Sequence, residues 1–498
     1  MALKTKGADD DHGEVYAMNF VYSGNFKAMV QNDQFDQLRM IMGIHPEDFS
    51  WKLNPGEAFQ TPEAVVVFSD KGLNGMSQTF HKLYQKRLAR GYWRDRPRPI
   101  LNNNWEATYF EFNTEKLIAI AKQASELGIE MLVMDDGWFG DRFDDNRALG
   151  DWVVNEEKLP GGLKYLVDEV NKLGMKFGIW FEPEMISPDS NLYREHPDWA
   201  IAIPGRVGTR SRNQYVLDLS RREVLEHTYE SVARILRSAH IEYVKWDMNR
   251  SVCDVYSHVA AQNRNGELYH RYVLGVYDLL ERFLAACPDL LLEGCSGGGG
   301  RYDAGMMYYS PQIWCSDNTD AINRLSIQYG SSFFYPISTV GSHVSVCPNH
   351  QTGRVTPFRT RGDVALAGSF GYEMDLNKIS EEEKEMVKEQ VAAMHEYYEL
   401  THEGLYYRLT GLKKQDFMAW EFVAKDQSRA LLTIVKTDAE GNMLPVHTKV
   451  CGLAEDKLYR CSLDQEVRLG RTWNRAGLTL HQVLEEYESI RVEFTEVK

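Results

Sequence analysis

The chain has 498 residues, 43% of them apolar and 12% aromatic, enough for one large barrel with appendages or about three ordinary domains. Lys plus Arg number 56 and Asp plus Glu 72, giving a net charge of −16 at pH 7. Such a balance repels nucleic acid and anionic membranes, so neutral or cationic partners are expected. Seven cysteines without a CxxC pair argue against a zinc ribbon or a disulfide scaffold and suit a reducing compartment.

The opening residues, MALKTKGADDDHGE, hold no apolar core and do not read as a signal peptide. No apolar run reaches the roughly 18 residues of a membrane span, and the expected location is the cytoplasm. Alternation at Tyr16, Met18, Phe20 and Tyr22, then at Phe26, Ala28 and Val30, predicts strands around a Ser23-Gly24-Asn25 turn; Ala64–Ser69 is another. These strands are too few for an independent sandwich. Residues 1–93 are expected to be the remnant of a larger N-terminal β domain, with apolar surface open near Tyr16, Phe20, Phe26 and Val66. Met76, Phe80, Leu83, Tyr84 and Leu88 recur at helical spacing within that segment, and Arg94–Pro99 reads as a linker.

From residue 99 the pattern alternates between strand and helix. Strands are predicted at 99–103, 130–134, 176–181, 241–244, 290–293, 312–315, 336–339 and 364–367. Helices are predicted at 115–127, 163–173, 272–284, 320–329 and 381–398, with another, ending near Ser238, opened by a Ser220/Glu223 capping box. Eight strands with helical or long irregular connections make an α/β fold, a (β/α)8 TIM barrel over residues 94–400. Short strands at 417–423, 431–436, 457–461 and 490–494 then predict a C-terminal antiparallel β-sandwich domain over 401–498.

Functional residues of such barrels collect at the C-terminal ends of the strands. Those positions hold Trp105, Glu106, Asp135, Asp136, Trp180, Glu182, Glu184, Asp247, Glu293, Cys295 and Asp317, with Arg212 in a polar loop after the third strand. In IEYVKWDMNR, Lys245 beside Asp247 would hold a nucleophilic carboxylate ionised. Taken singly, each piece has a plain reading. The Lys–Asp pair can cap a strand, Asp135 and Asp136 can cap a turn, both tryptophans can be core, and Cys295 can be a packed small residue. A ring of carboxylates and tryptophans at one mouth most resembles glycoside hydrolysis, which needs one ionised and one protonated carboxyl across a bond.

The stretches NNWEATYF, MDDGWFG, GIWFEPEM, KWDMNR, EGCSGGGGR and CSDNTDAINRLSIQYG are similar, in order and spacing, to those of the α-galactosidases of glycoside hydrolase family 36. The resemblance implies that Asp247 is the nucleophile and Asp317 the general acid/base of a retaining double displacement. It implies that Asp135 and Asp136 hold the galactose O4 and O6 hydroxyls, with Lys245, Arg212 and Asn249 on other hydroxyls. Cys295, Gly297 and Gly298 would lie beside C2, and Trp105 and Trp180 would form apolar walls. No cofactor and no metal is implied. The implied partners are α-galactoside oligosaccharides of the melibiose and raffinose type, and a homo-oligomer, since bacterial members are commonly tetramers. An α-N-acetylgalactosaminidase or galactosyl transferase on the same scaffold, or a non-catalytic galactoside-binding barrel, are the rival readings.

Overall fold

Eight parallel strands close into a barrel in this computed structural model, which describes residues 1–260, 264–411, 416–439, 441 and 445–497. The strands are β1 Leu101–Asn103, β2 Met131–Met134, β3 Lys176–Phe181, β4 Tyr243–Trp246, β5 Leu291–Gly294, β6 Gln312–Trp314, β7 Val340–Ser345 and β8 Ser369–Glu373. They neighbour one another in sequence order, and β8 closes against β1. Almost every strand residue is buried, because side chains fill the barrel on one face and helices cover the other. That is why these strands read as apolar runs and not as alternation. In the parallel register Lys245 of β4 pairs with Trp180 of β3 and Glu293 of β5, which brings three predicted mouth residues to one level.

Amphipathic helices return the chain between strands. They include Thr114–Glu126, Gly162–Lys172, Arg222–Ser238, Leu268–Ala286, Ala321–Ser331, Phe358–Ala365 and Glu381–Glu403. The barrel expectation holds, with three local corrections. Residues 336–339 form a tight 3-10 turn, and the seventh strand is the following GSHVS stretch. Residues 364–367 close a helix, and the eighth strand begins at Ser369. A four-residue apolar run is equally the buried stripe of a helix, and only length and context separate the two.

The third correction concerns the start of helix Arg222–Ser238, which has no side-chain cap. The Ser220 hydroxyl donates to Asp218, and Glu223 accepts from Arg221 at 2.8 Å. A true capping box, Ser380 with Glu383, opens the last barrel helix instead.

The N-terminal segment comprises a three-stranded sheet (Ala2–Lys4, Val15–Val21, Glu63–Ser69) and a hairpin of Phe26–Asn32 with Leu38–Ile44. Tyr16, Phe26 and Val66 are exposed as expected, whereas Phe20 is buried, because it faces the helix-side core and not solvent. The hairpin exposes Phe26 to Asn32 without interruption, and Phe35 and Leu38 stand out further still. Contacts to the barrel come from Tyr22 Oη with His270 Nδ1 (3.0 Å) and from Ser23 Oγ donating to Asp303 (2.7 Å).

A six-stranded antiparallel sheet follows the barrel, in the order Leu405–Arg408, Phe417–Val423, Arg429–Lys436, Ser489–Glu496, Leu458–Cys461 and Val467–Leu469. A two-stranded ribbon, His447–Thr448 with Leu478–Thr479, accompanies it. Its core of Ile434, Tyr459, Trp473 and Phe494 is separate from the barrel core. Among the described residues no helix is long and apolar enough to cross a membrane.

Candidate active site

Asp247 follows β4 directly and is buried. Its Oδ2 accepts from Asn249 Nδ2 at 2.7 Å and from Trp180 Nε1 at 3.2 Å. Its Oδ1 accepts from the Met248 amide at 2.8 Å and the Gly297 amide at 3.3 Å. Both oxygens are therefore aimed by rigid N–H donors from the ends of three strands. Gly297 can point its amide inward because it adopts a φ of +53°, where a side chain is strained.

Asp317 lies beyond β6, on the rim. The side chain is open to solvent on one side, while protein surrounds most of its carboxyl. Burial, and next the negative charge of Asp247, push it up from the usual aspartate range, against the pull of Lys245 and Arg212. Trp314 Nε1 donates to its Oδ1 at 3.1 Å, and Gln351 Nε2 donates to its carbonyl at 3.0 Å. Asp317 thus feels the charge of Asp247 across the mouth.

Lys245 points to a partner other than the expected Asp247: its Nζ donates to Asp135 Oδ2 at 2.8 Å. Lysine and aspartate two apart on one strand share a face, but Asp135 at the end of β2 comes closer. Burial works against the ammonium, and Asp135, with Cys295, Glu373 and Asp247 behind it, holds it well above the usual lysine range. Asn103 Nδ2 also donates to Asp135 Oδ2, at 2.7 Å. The neighbouring Asp136 is gripped by Arg142, whose Nε and Nη2 donate at 3.0 and 2.8 Å to its two oxygens. Both carboxylates are buried and fully engaged, so neither is a simple turn cap.

Asn249 is held from both sides. Its amide N–H donates to Glu182, and its side-chain oxygen accepts from Arg212, which is exposed on a loop at φ 51°. Cys295 is buried, and burial together with the charge of Asp247 raises its thiol well above the ordinary range. Gly298 leaves no space: a Cβ there would stand 2.7 Å from the Asp317 amide nitrogen. Trp105 begins a short helix, half-buried, with its ring against Tyr109 and Phe110. Trp180, expected with Trp105 to form an apolar wall, is buried, and its indole N–H also serves Asp247.

Of the mouth residues, Arg142 and Glu373 lie outside the predicted set. Glu182 is pushed up to about 8 by burial and by the charge of Asp247. Glu373, at the end of β8, is raised well above the carboxylate range by burial and then by Glu106. Arg142 carries no motif signal, since nothing in the spacing links it to Asp136. Glu184 ties the barrel mouth together. It is buried and accepts from Trp246 Nε1 (2.8 Å), Tyr272 and Arg301 (2.6 Å), tying together the ends of β3, β4 and β5.

Comparisons with known proteins agree with this geometry. Family models match end to end: Melibiase over residues 58–404, the glycosyl hydrolase family 36 N-terminal domain over 1–54, and the family 36 C-terminal domain over 417–494. Alpha-galactosidase AgaA of Geobacillus stearothermophilus is 54% identical over 459 residues, which cover 92% of this chain and 63% of that protein. The bifunctional alpha-galactosidase/sucrose kinase AgaSK of Mediterraneibacter gnavus is 50% identical across 100% of this chain and 52% of its own length. The crystal structure of AgaA superposes with a TM-score of 0.98 at 51% identity, covering 100% of this chain and 69% of that one. This chain therefore spans 52–63% of the length of those two curated relatives. With its barrel and both flanking segments matched by family models, the chain belongs to glycoside hydrolase family 36.

Proposed function

We propose that this chain is a retaining α-galactosidase acting on terminal α-galactosyl residues of oligosaccharides. The observation that carries the reading is the pair of carboxyls: Asp247 fixed among N–H donors, and Asp317 raised by burial and by Asp247. An acceptor aimed by donors at one place suits a nucleophile, and a carboxyl whose proton affinity is raised suits a general acid. Asp247 attacks the anomeric carbon while Asp317 gives its proton to the leaving oxygen, forming a glycosyl ester and a free alcohol. Asp317 then removes a proton from water, whose oxygen displaces Asp247, so configuration is retained.

Lys245, Asp135, Asp136, Arg212 and Asn249 hold the sugar hydroxyls in this reading. Buried charged groups paired to one hydroxyl arrangement reject its epimer, because the misplaced hydroxyl leaves them unpaired. Cys295, Gly297 and Gly298 border C2, and Trp105 and Trp180 form the apolar walls. No metal or organic cofactor enters a step. Support for the substrate class comes from the relatives named alpha-galactosidase, and from variants of the Geobacillus enzyme solved with raffinose and with stachyose. We also propose domain divisions near residues 93 and 400. Seven free cysteines fit action in a reducing, cytoplasmic setting, and a homo-oligomer fits the exposed apolar hairpin.

The test is hydrolysis of a chromogenic α-galactoside by the purified chain, with the first-formed anomer read by proton NMR and the oligomer size read alongside. α-Galactose as first product supports the reading. β-Galactose, or no hydrolysis, overturns it.

A further inference from the structure

Glu106, on the short helix that Trp105 begins, has a role that no step above uses. The side chain is buried, Oε1 accepts from Thr319 Oγ1 at 2.7 Å, and His350 Nδ1 stands 3.3 Å away. Oε2 is buried without a hydrogen-bond partner. Thr319 lies two residues beyond Asp317. Its hydroxyl also accepts from Asn349 Nδ2 at 3.1 Å, and its carbonyl accepts from Ser345 Oγ at 3.1 Å. Arg324 fixes the backbone on either side of Asp317, donating to the carbonyls of Ser316 and Asn318 at 2.7 Å each. Glu106 is thus the side chain through which the β1 end of the mouth holds the Asp317 loop.

Resting on the reading above, we propose that Glu106 is a positioning residue for Asp317, locking the acid/base loop to the helix of Trp105 so that acid and sugar platform keep one geometry. Oε2 is buried without a partner, so the tie to the Asp317 loop runs through Oε1 and Thr319. A glutamine at 106 can still accept from Thr319, whereas an alanine cannot.

The experiment compares Glu106→Ala, Glu106→Gln and Thr319→Val in the full chain, on raffinose and on 4-nitrophenyl α-galactoside. A misplaced acid harms only the substrate whose leaving group needs a proton. Glu106→Ala should lower kcat/KM on raffinose about 10- to 100-fold, part of the 10²–10⁴ that a general acid contributes. On the nitrophenyl substrate kcat/KM should stay within about twofold, while kcat and KM fall together as the glycosyl-enzyme accumulates. Thr319→Val should reproduce the alanine pattern, and Glu106→Gln should restore most of the loss. Equal losses on both substrates, or no loss, overturn the proposal. Amide hydrogen exchange gives a second measure, expected to quicken at 316–320 in the alanine variant and not in the glutamine variant. If the wild type cleaves neither substrate, the functional reading fails, and exchange alone decides the tie: unchanged protection at 316–320 refutes it.

Discussion

Trp180 Nε1 lies 3.2 Å from Asp247 Oδ2, so a tryptophan at the end of β3 hydrogen-bonds the carboxylate at the end of β4. Trp180 is itself anchored, because Trp138 Nε1 donates to its carbonyl at 2.9 Å. Trp180→Phe removes the donor and, with the lost pyrrole ring, opens a small cavity at a buried site. A hydrogen bond to a charged group contributes about 1.5–3 kcal/mol, so kcat/KM should fall about 10- to 100-fold, with a modest drop in Tm from the cavity. Steady-state kinetics beside a thermal melt check this; a drop in Tm without a drop in kcat/KM would make Trp180 a packing residue only.

The two carboxyls should separate by chemical rescue. Asp247→Gly should abolish turnover, and azide should then attack from the vacated face to give the inverted β-galactosyl azide. Asp317→Ala should still form the glycosyl-enzyme from a nitrophenyl substrate, and azide, needing no deprotonation, should give the α-galactosyl azide. Identification of the products by NMR decides; the same anomer from both variants refutes the assignment.

The Asp136–Arg142 pair is buried and bidentate, with side-chain exposures of 9% and 2%. Removing one member strands a charge in a dry site. Arg142→Met should therefore cost about 3–5 kcal/mol in denaturant unfolding, whereas adding Asp136→Leu to it should recover part of that loss. Hydrolysis should vanish in the double variant if Asp136 contacts the sugar. Activity kept by the double variant would confine the pair to architecture.

Much of this site is legible before any coordinates, and the reason is local. Asp247, Asp317 and Asp135 each end an apolar run, where burial makes a charge costly and therefore conspicuous. Arg142, Glu373 and the Trp180 donor are not legible, because each matters through a partner far away in sequence or through the direction of one N–H bond. The seventh strand escapes for a related reason. Gly341, Ser342 and Ser345 weaken its strand signal, and the barrel's hydrogen-bonded neighbours, not propensity, make it extended.

Stability should fall as pH rises from about 4.5 to about 8. Glu421 lies fully buried in the C-terminal sheet, accepting from the Cys451 amide at 2.7 Å with its other oxygen unpartnered, and burial pushes it up to about 8. Across that window the unfolded chain has released this proton while the folded chain keeps it. The neutral carboxyl's stabilisation is complete below the unfolded value and lost as pH climbs through the folded one, at up to about 1.4 kcal/mol per pH unit. Glu421→Gln mimics the protonated form and should flatten the slope in urea unfolding measured from pH 5 to 8. An unchanged slope would show that other groups set it.

Phe35 and Leu38 are 72% and 63% exposed on the N-terminal hairpin, far from the mouth carboxyls in sequence. Replacing both by serine should shift the sedimentation profile towards smaller species without altering kcat/KM. A wild-type chain that is monomeric at every concentration would contradict this.

Gly298 sets a limit on how this site can change. Its backbone touches the Asp317 backbone with no clearance for a single methyl group. Making room beside Cys295 for a bulkier substituent means moving that ridge, and the ridge moves Asp317 with it. On the proposed assignment of Asp317 as the acid, substrate breadth and proton delivery are therefore coupled here, and a lineage that widened the pocket would have to rebuild its acid in the same step.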